Sequence, residues 1–254
     1  YVVVLTGTTG LCSGDLVLDN SITEIEYASL FNTKITSLTI PASVRAITNP
    51  LYYTRSLVSI TVDSASTSFK SIDGVLFNFS GTSLIAYPAS KPGATYTIPS
   101  SVTSIGIYAF GSNKFLTSIS IPDGVVSTGG GIFHDSQALT TVSIGTGLTN
   151  LGQQDFAWIR TLTAINVDAA NNSYASIDGV LYSKDISVLR AYPANKAGTV
   201  YIAPSTVTST AYTVFGAAAN LITVDLSSVT SLVGQEFHSS TSIQEVIFGN
   251  SLEG

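Results

Sequence analysis

The sequence predicts a β-rich solenoid: stacked coils of about 23 residues whose short strands lie side by side in a parallel sheet, with two inserted β-hairpin coils. Three observations predict it. A strand pattern recurs at a fixed step, a second apolar signature follows most of those strands, and one long segment occurs twice.

The strand pattern is L-x-x-[IV]-x-[IV], an alternation that reads as a strand with one buried face. It opens at Leu116 (LTSISIP), Leu139 (LTTVSIG) and Leu162 (LTAINVD), with steps of 23. It also begins at Ile35 and Leu57 before this run, and at Leu221 and Ile243 after it. The second signature places one residue, then others at +3 and +8: Ile22/Ile25/Leu30, Val44/Ile47/Tyr52, Val102/Ile105/Phe110 and Val125/Thr128/Phe133. It continues as Leu148/Leu151/Phe156, Val207/Thr210/Phe215 and Val229/Leu232/Phe237. The large residue at +8 falls at one height in every coil, which predicts an aromatic spine down the interior. Such a unit cannot bury its own apolar edge, so neighbouring coils must stack. With strands about 4.8 Å apart, around ten coils make one elongated domain, residues 1–254, on the order of 45–50 Å long.

The repeated segment is SIDGVLFNFSGTSLIAYPASKPG at 71–93 and SIDGVLYSKDISVLRAYPANKAG at 176–198, offset by 105. Residues 57–116 laid over 162–221 share 28 identities in 60 positions without a gap, so 57–121 and 162–226 read as a tandem duplication. Asp73-Gly74 and Asp178-Gly179 are turn dipeptides. Val75–Phe77 is expected to pair with Leu84–Tyr87 as a hairpin with Ser80-Gly81 at its tip. The tip differs in the second copy, where Lys184–Ser187 stands, so the body is read as structural and the tip as free to vary.

Composition excludes several classes. Charged residues make up 10% of the chain and Ser plus Thr 67 of 254, so hydroxyls must solvate the surface. A 44% hydrophobic content does not suit disorder. Ten scattered Lys and Arg give no nucleic-acid footprint. Cys12 is the single cysteine, so neither an intrachain disulfide nor a cysteine metal site can form, and TTGL before it is no lipoprotein cleavage site. YVVVL at the start is too short to span a bilayer.

The pattern L-x-x-[IV]-x-[IV]-P-x-x-V-x-x-I-G-x-x-A-F, clearest in LTSISIPDGV and IPSSVTSIGIYAF, resembles the BspA-like (Treponema-type) leucine-rich repeats. The DGVLF/AYP and DGVLY/AYP segments carry a further likeness to them. Gly124 stands where the ordinary leucine-rich repeat places Asn or Cys, so the ordinary subclasses do not fit. The resemblance implies a curved leucine-rich-repeat solenoid on a secreted or cell-surface bacterial protein, with adhesion to host proteins, other bacteria or matrix.

No residue set for catalysis stands out. His134 and His238 each follow a spine Phe and are expected several coils, about 20 Å, apart, too far to share a metal. His134-Asp135 is not expected to converge with a nucleophile. Gly129 of Gly129-Gly130-Gly131 is the repeat's own glycine, in step with Gly106 and Gly152, so the run is not a phosphate loop. Asp63, Asp73, Asp168 and Asp178 are isolated and do not build a calcium loop. Glu24 and Glu26 read as solvated, and Asn78-Phe79-Ser80 and Asn171-Asn172-Ser173 fit the N-glycosylation pattern.

The expected function is therefore non-catalytic recognition of an extracellular protein or glycan, without cofactor or metal. A carbohydrate-binding accessory module is the alternative, and an enzyme on a β-solenoid the third reading. The concave face (Ser37, Thr39, Ser59, Thr61, Ser118, Ser120, Thr141, Ser143, Ala164, Asn166, Thr223, Asp225) is smooth and hydroxylic, poor in the Trp, Tyr and Arg that anchor partners. Candidate anchors lie instead on hairpin tips and arcs: Phe79, Tyr108, Trp158, Arg160, Lys184, Asp185 and Tyr212. VIFGNSLEG stops mid-coil, which leads to the expectation that the natural chain continues past Gly254 or covers that edge in a dimer.

Overall fold

The computed structural model describes residues 4–5, 12–48, 51 and 53–250. They wind into a β-solenoid of about 11 turns, and no α-helix occurs among the described residues. The leading strands form three parallel runs. Ser13–Val17, Lys34–Ile40 and Ser59–Val62 make the first; Ser118–Ile121, Thr141–Ile144 and Ala164–Val167 the second; Val200–Ile202, Thr223–Leu226 and Glu245–Phe248 the third. Ser118 lies opposite Thr141 and Thr141 opposite Ala164, so the step of 23 is the pairing register itself. Inward residues of these strands, such as Ile119, Val142 and Ile165, are buried, and the hydroxyls between them form solvent-facing rows.

Behind the strands, two-residue strands pair coil to coil, as Ser104–Ile105 does with Ser127–Thr128. The arcs then turn through two left-handed residues per coil. Tyr108 and Ser112, Gln154 and Trp158, and Thr213 and Ala217 recur at these places with φ between 52° and 61°. Non-glycine residues adopt that region at a cost. Its repetition shows that stacking on both sides over-determines the arc.

The +8 phenylalanines do form a spine, while Tyr52 lies outside the described residues. Tyr87, Phe110, Phe133 and Phe156 follow one another with ring centroids 5.2, 5.6 and 6.1 Å apart. Tyr192, Phe215 and Phe237 continue it at 5.6 and 5.2 Å. Tyr87 and Tyr192 belong to the AYP segments, so those segments supply the spine residue of the inserted coils.

Each inserted coil is a three-stranded meander, one strand more than the expected hairpin. Val75–Asn78 pairs antiparallel with Ser83–Ala86 as expected, but also with Phe69–Ile72 across the Asp73-Gly74 turn. Tyr174–Ile177, Val180–Ser183 and Val188–Ala191 repeat the arrangement at an offset of 105. The third strand then joins the solenoid, Ser83–Ala86 lying parallel to Ser104–Ile105. The extra strand escapes pattern reading because FKSI is too short and polar to announce itself. The first three residues of the central strand, Val75, Leu76 and Phe77, are apolar because both faces of the strand are buried there. Leu76 packs with the core that precedes it, and Val75 and Phe77 with the core that follows.

Two substitutions in the repeat are coupled. Where the +3 position carries Thr128 or Thr210, the next coil carries an acid just before its spine Phe, Asp155 or Glu236. The Thr128 hydroxyl donates to Asp155 Oδ2 and accepts the Gly152 N–H at 2.8 Å. The Thr210 hydroxyl donates to Glu236 Oε1 at 3.1 Å. All four residues are buried, so each acid finds its hydroxyl donor across one coil boundary.

The glycine run is structural. A Cβ at Gly129 would overlap the Ile107 backbone nitrogen, and one at Gly152 the Gly130 nitrogen, so this column exists for close approach between coils.

Candidate functional site

One residue, Pro88, separates the spine Tyr87 from Ala89, whose carbonyl accepts the Lys114 N–H. In the next coil two residues, Gly111 and Ser112, separate Phe110 from Asn113, whose carbonyl accepts the Gln137 N–H. The second copy repeats this, with Pro193 between Tyr192 and Ala194. Each inserted coil therefore cuts its arc short, and the arcs on either side close over it. A Cβ on Gly216 would stand 3.9 Å from the Ala157 Cβ, from the coil before the insertion.

Large side chains meet across these shortened places. Phe31 and Tyr53 lie 5.9 Å apart, Tyr53 and His134 6.0 Å, and Tyr108 and His134 5.6 Å. Trp158 lies 4.8 Å from His134 and 5.4 Å from His238. Six rings thus form a continuous ridge along the arcs. The Arg55 guanidinium lies 4.6 Å over Tyr53, and its Nη2 is 2.6 Å from Asp135 Oδ2. Trp158 Nε1–H donates to His238 Nδ1 at 3.3 Å. Gly131 makes room for the ridge, since a Cβ there would run into the Tyr108 ring.

The expected separation of the two histidines is corrected by this arrangement. Both touch Trp158, so they are no farther apart than its two contact distances together. Counting coils overlooked the shortened arcs and the reach of an indole. His134-Asp135 is no acid–base pair, because Asp135 is held by Arg55.

Of the seven candidate anchors, Tyr108 and Trp158 enter the ridge and are partly exposed. Arg160 is exposed and makes no ring contact among the described residues. Tyr212 lines a cavity with Asp155 and Arg190. Phe79 is 54% exposed at the first meander tip. At the second tip, Asp185 accepts from the hydroxyls of Ser183 and Ser187 at 2.7 and 2.8 Å, which lowers its pKa, and Lys184 reaches the Ala169 carbonyl. Those two side chains hold the turn. Sequence reasoning missed Phe31, Tyr53 and Arg55, the last two about 80 residues from their partners His134 and Asp135; each stands just past a spine position, a column readable only once the coils are aligned.

Both glycosylation patterns are engaged. Asn171 is fully buried, accepting two backbone N–H groups through Oδ1 and donating to the Gly145 and Leu148 carbonyls. Asn78 donates to Thr82 and accepts from the Ser83 N–H.

Burial lowers the His134 pKa from 6.5, with Arg55 adding to the effect and Asp135 opposing it. The unfolded chain therefore takes up this proton at higher pH than the folded chain. The contribution to stability is complete above 6.5 and is lost as pH falls through the lower folded value. Trp158 is the single tryptophan, so its emission reports the ridge. Imidazolium quenches indole and both histidines touch Trp158, so in a His238→Gln background acid titration should show a quenching step below pH 6.5 that vanishes when His134→Gln is added. An unchanged titration in that variant would remove His134 from contact with the indole.

Short parallel strands stacked at a fixed repeat, with an apolar ladder inside and hydroxyl rows outside, define a leucine-rich-repeat solenoid. The chain belongs to the BspA-type leucine-rich repeat family, whose repeat region matches in six copies over residues 12–91, 93–184 and 195–254. It is similar to a leucine-rich repeat protein from Eubacterium ventriosum, with 25% identity over 94% of this chain and 56% of that one, and a TM-score of 0.64. It is likewise similar to a leucine-rich cell surface protein from Faecalibacterium prausnitzii, with 26% identity over 92% of this chain and 53% of that one, and a TM-score of 0.60. The pneumococcal vaccine antigen PcpA shares the fold, at 19% identity over 98% of this chain and 64% of that one, with a TM-score of 0.55. The chain spans about half the length of the first two structures. No curated protein matches it. Among the described residues no helix is long and apolar enough to cross a membrane, and no cluster of three metal-ligating side chains occurs.

Proposed function

We propose that this chain is a non-catalytic recognition module of a cell-surface or secreted protein, and that it docks a protein partner on the ring ridge. The observation that carries this reading is the continuous run of Phe31, Tyr53, His134, Tyr108, Trp158 and His238, with Arg55 laid over it. Tyr, Trp and Arg dominate interface energetics, and here they sit in one strip on a rigid scaffold. The rings meet tilted or edge to face, at interplanar angles from 51° to 89°, rather than as flat platforms for stacked sugars. The cell-surface description of the Faecalibacterium protein agrees with an extracellular setting.

The test is binding to immobilised matrix and host-surface proteins by the purified chain. Beside it run a ridge variant (Phe31→Ser with Trp158→Asn) and a tip variant with Asn78–Thr82 and Ser183–Ser187 replaced by Gly/Ser turns. Asparagine suits the left-handed backbone at Trp158 (φ 58°), so the fold is kept. The ridge variant should lose roughly thirtyfold in affinity, equivalent to about 2 kcal/mol, while the tip variant binds normally. Loss in the tip variant alone would move the site to the meanders, and silence on every protein surface would end the reading.

A further inference from the structure

The ring spine has one break. Phe156 and Tyr192 make no ring contact with each other, and between their coils opens a cavity of about 300 Å³. That is the lower end of the range for small-molecule sites. Phe156 and Tyr192 line it together with polar side chains that include Gln154, Asp155, Arg190 and Tyr212. The Arg190 guanidinium makes no hydrogen bond to a described residue and lies 5.7 Å from the Tyr174 ring. Asp155, 2% exposed, receives the Thr128 hydroxyl and the Ile132 N–H.

The duplication supplies an internal control. Where the second copy has Arg190, Thr210 and Tyr212, the first has Ile85, Ile105 and Ile107. Where Asp155 precedes the spine residue, the first copy has Leu51. The same frame therefore folds with four aliphatic residues, and the scaffold has no need of the polar set. Burying the Asp155 carboxyl costs stability, and the half-buried guanidinium of Arg190 near it keeps its donors open, so the set suits something that enters the cavity.

A guanidinium with open donors suits a planar carboxylate, which it holds by two parallel hydrogen bonds. The carboxyl, phenol and amide around it are acceptors and donors for neutral hydroxyls. Phe156 and Tyr192 offer apolar walls to a ring. We propose that this cavity binds an acidic monosaccharide unit, its carboxylate on Arg190 and its ring hydroxyls on Asp155, Gln154 and Tyr212. The site is independent of the protein-docking ridge.

The experiment is titration calorimetry with saturation-transfer NMR on the whole chain at neutral pH. The probes are glucuronate, methyl β-glucuronide, glucose and cyclohexanecarboxylate. Glucuronate should bind, with glucose and cyclohexanecarboxylate weaker by roughly tenfold or more. Arg190→Ile should weaken glucuronate by at least a similar factor and Tyr212→Ile by less, with melting curves showing both variants folded, as the isoleucines of the first copy allow. Binding of the glycoside as well as the free sugar supports a terminal glycan residue as the ligand, and binding of the free sugar alone supports a soluble sugar acid. No saturation transfer from either at millimolar concentration overturns the proposal. So does binding undiminished in folded Arg190→Ile, or cyclohexanecarboxylate binding as tightly as glucuronate.

Discussion

Replacing Phe133 by alanine is expected to remove about 4 kcal/mol of stability, the middle of the range for a buried aromatic. Phe133 is 1% exposed and holds ring contacts on both sides, to Phe110 and to Phe156. The void cannot collapse easily, because backbone hydrogen bonds tie the arc to its neighbours: Phe110 N–H to Ile132 O, and Ser112 N–H to His134 O. Phe237, only half-buried, should lose less when truncated in the same way. Urea unfolding followed by circular dichroism measures both. A loss under about 1.5 kcal/mol at Phe133 would mean that the spine is ordinary filling, with no special part in holding the stack.

Asp155→Asn is expected to stabilise the protein at pH 7.5 by about 2 to 3 kcal/mol and to leave it unchanged near pH 3.5. Burial raises this carboxyl from 3.8 to about 6, against the hydrogen bonds from Thr128, Ile132 and Gly152 and the attraction of Arg190. Its folded pKa is raised, so its contribution to stability is present below 3.8 and is lost as pH rises through about 6. A shift of two units is worth about 3 kcal/mol. Asparagine keeps the shape and removes the charge, but its amide nitrogen cannot accept as a carboxylate oxygen does, so the gain falls short of that full value. Thermal unfolding of the two proteins across pH 3.5 to 7.5 should give curves that separate only above the acid end. Parallel curves would show that Asp155 is not the group that carries the penalty.

The spine and the strand ladders were legible because each is a column of like residues at a constant step, and stacking alone explains such a column. Asp155 and Glu236 were not, because a reading that seeks recurrence passes over the positions that depart from it. Their signal was present: Thr128 and Thr210 are the +3 residues that are not aliphatic, and each acid follows in the next coil. The ridge was half legible. Tyr108 and Trp158 could be named as arc residues, but their neighbours depend on Pro88 and Pro193 shortening the inserted arcs, a geometric fact that no spacing reveals. The strand Phe69–Ile72 was hidden by its brevity, although its turn, Asp73-Gly74, was plain.

The central strands of the two meanders act as party walls. Leu76 belongs to the core on one side and Phe77 to the core on the other, and Leu181 and Tyr182 divide in the same way. A coil stack with only nearest-neighbour contacts can fray one turn at a time. Here a core cannot open without pulling side chains out of the strand that also seals the next compartment. Three short cores are thereby bolted into one body, and a pull on either end is shared across them all.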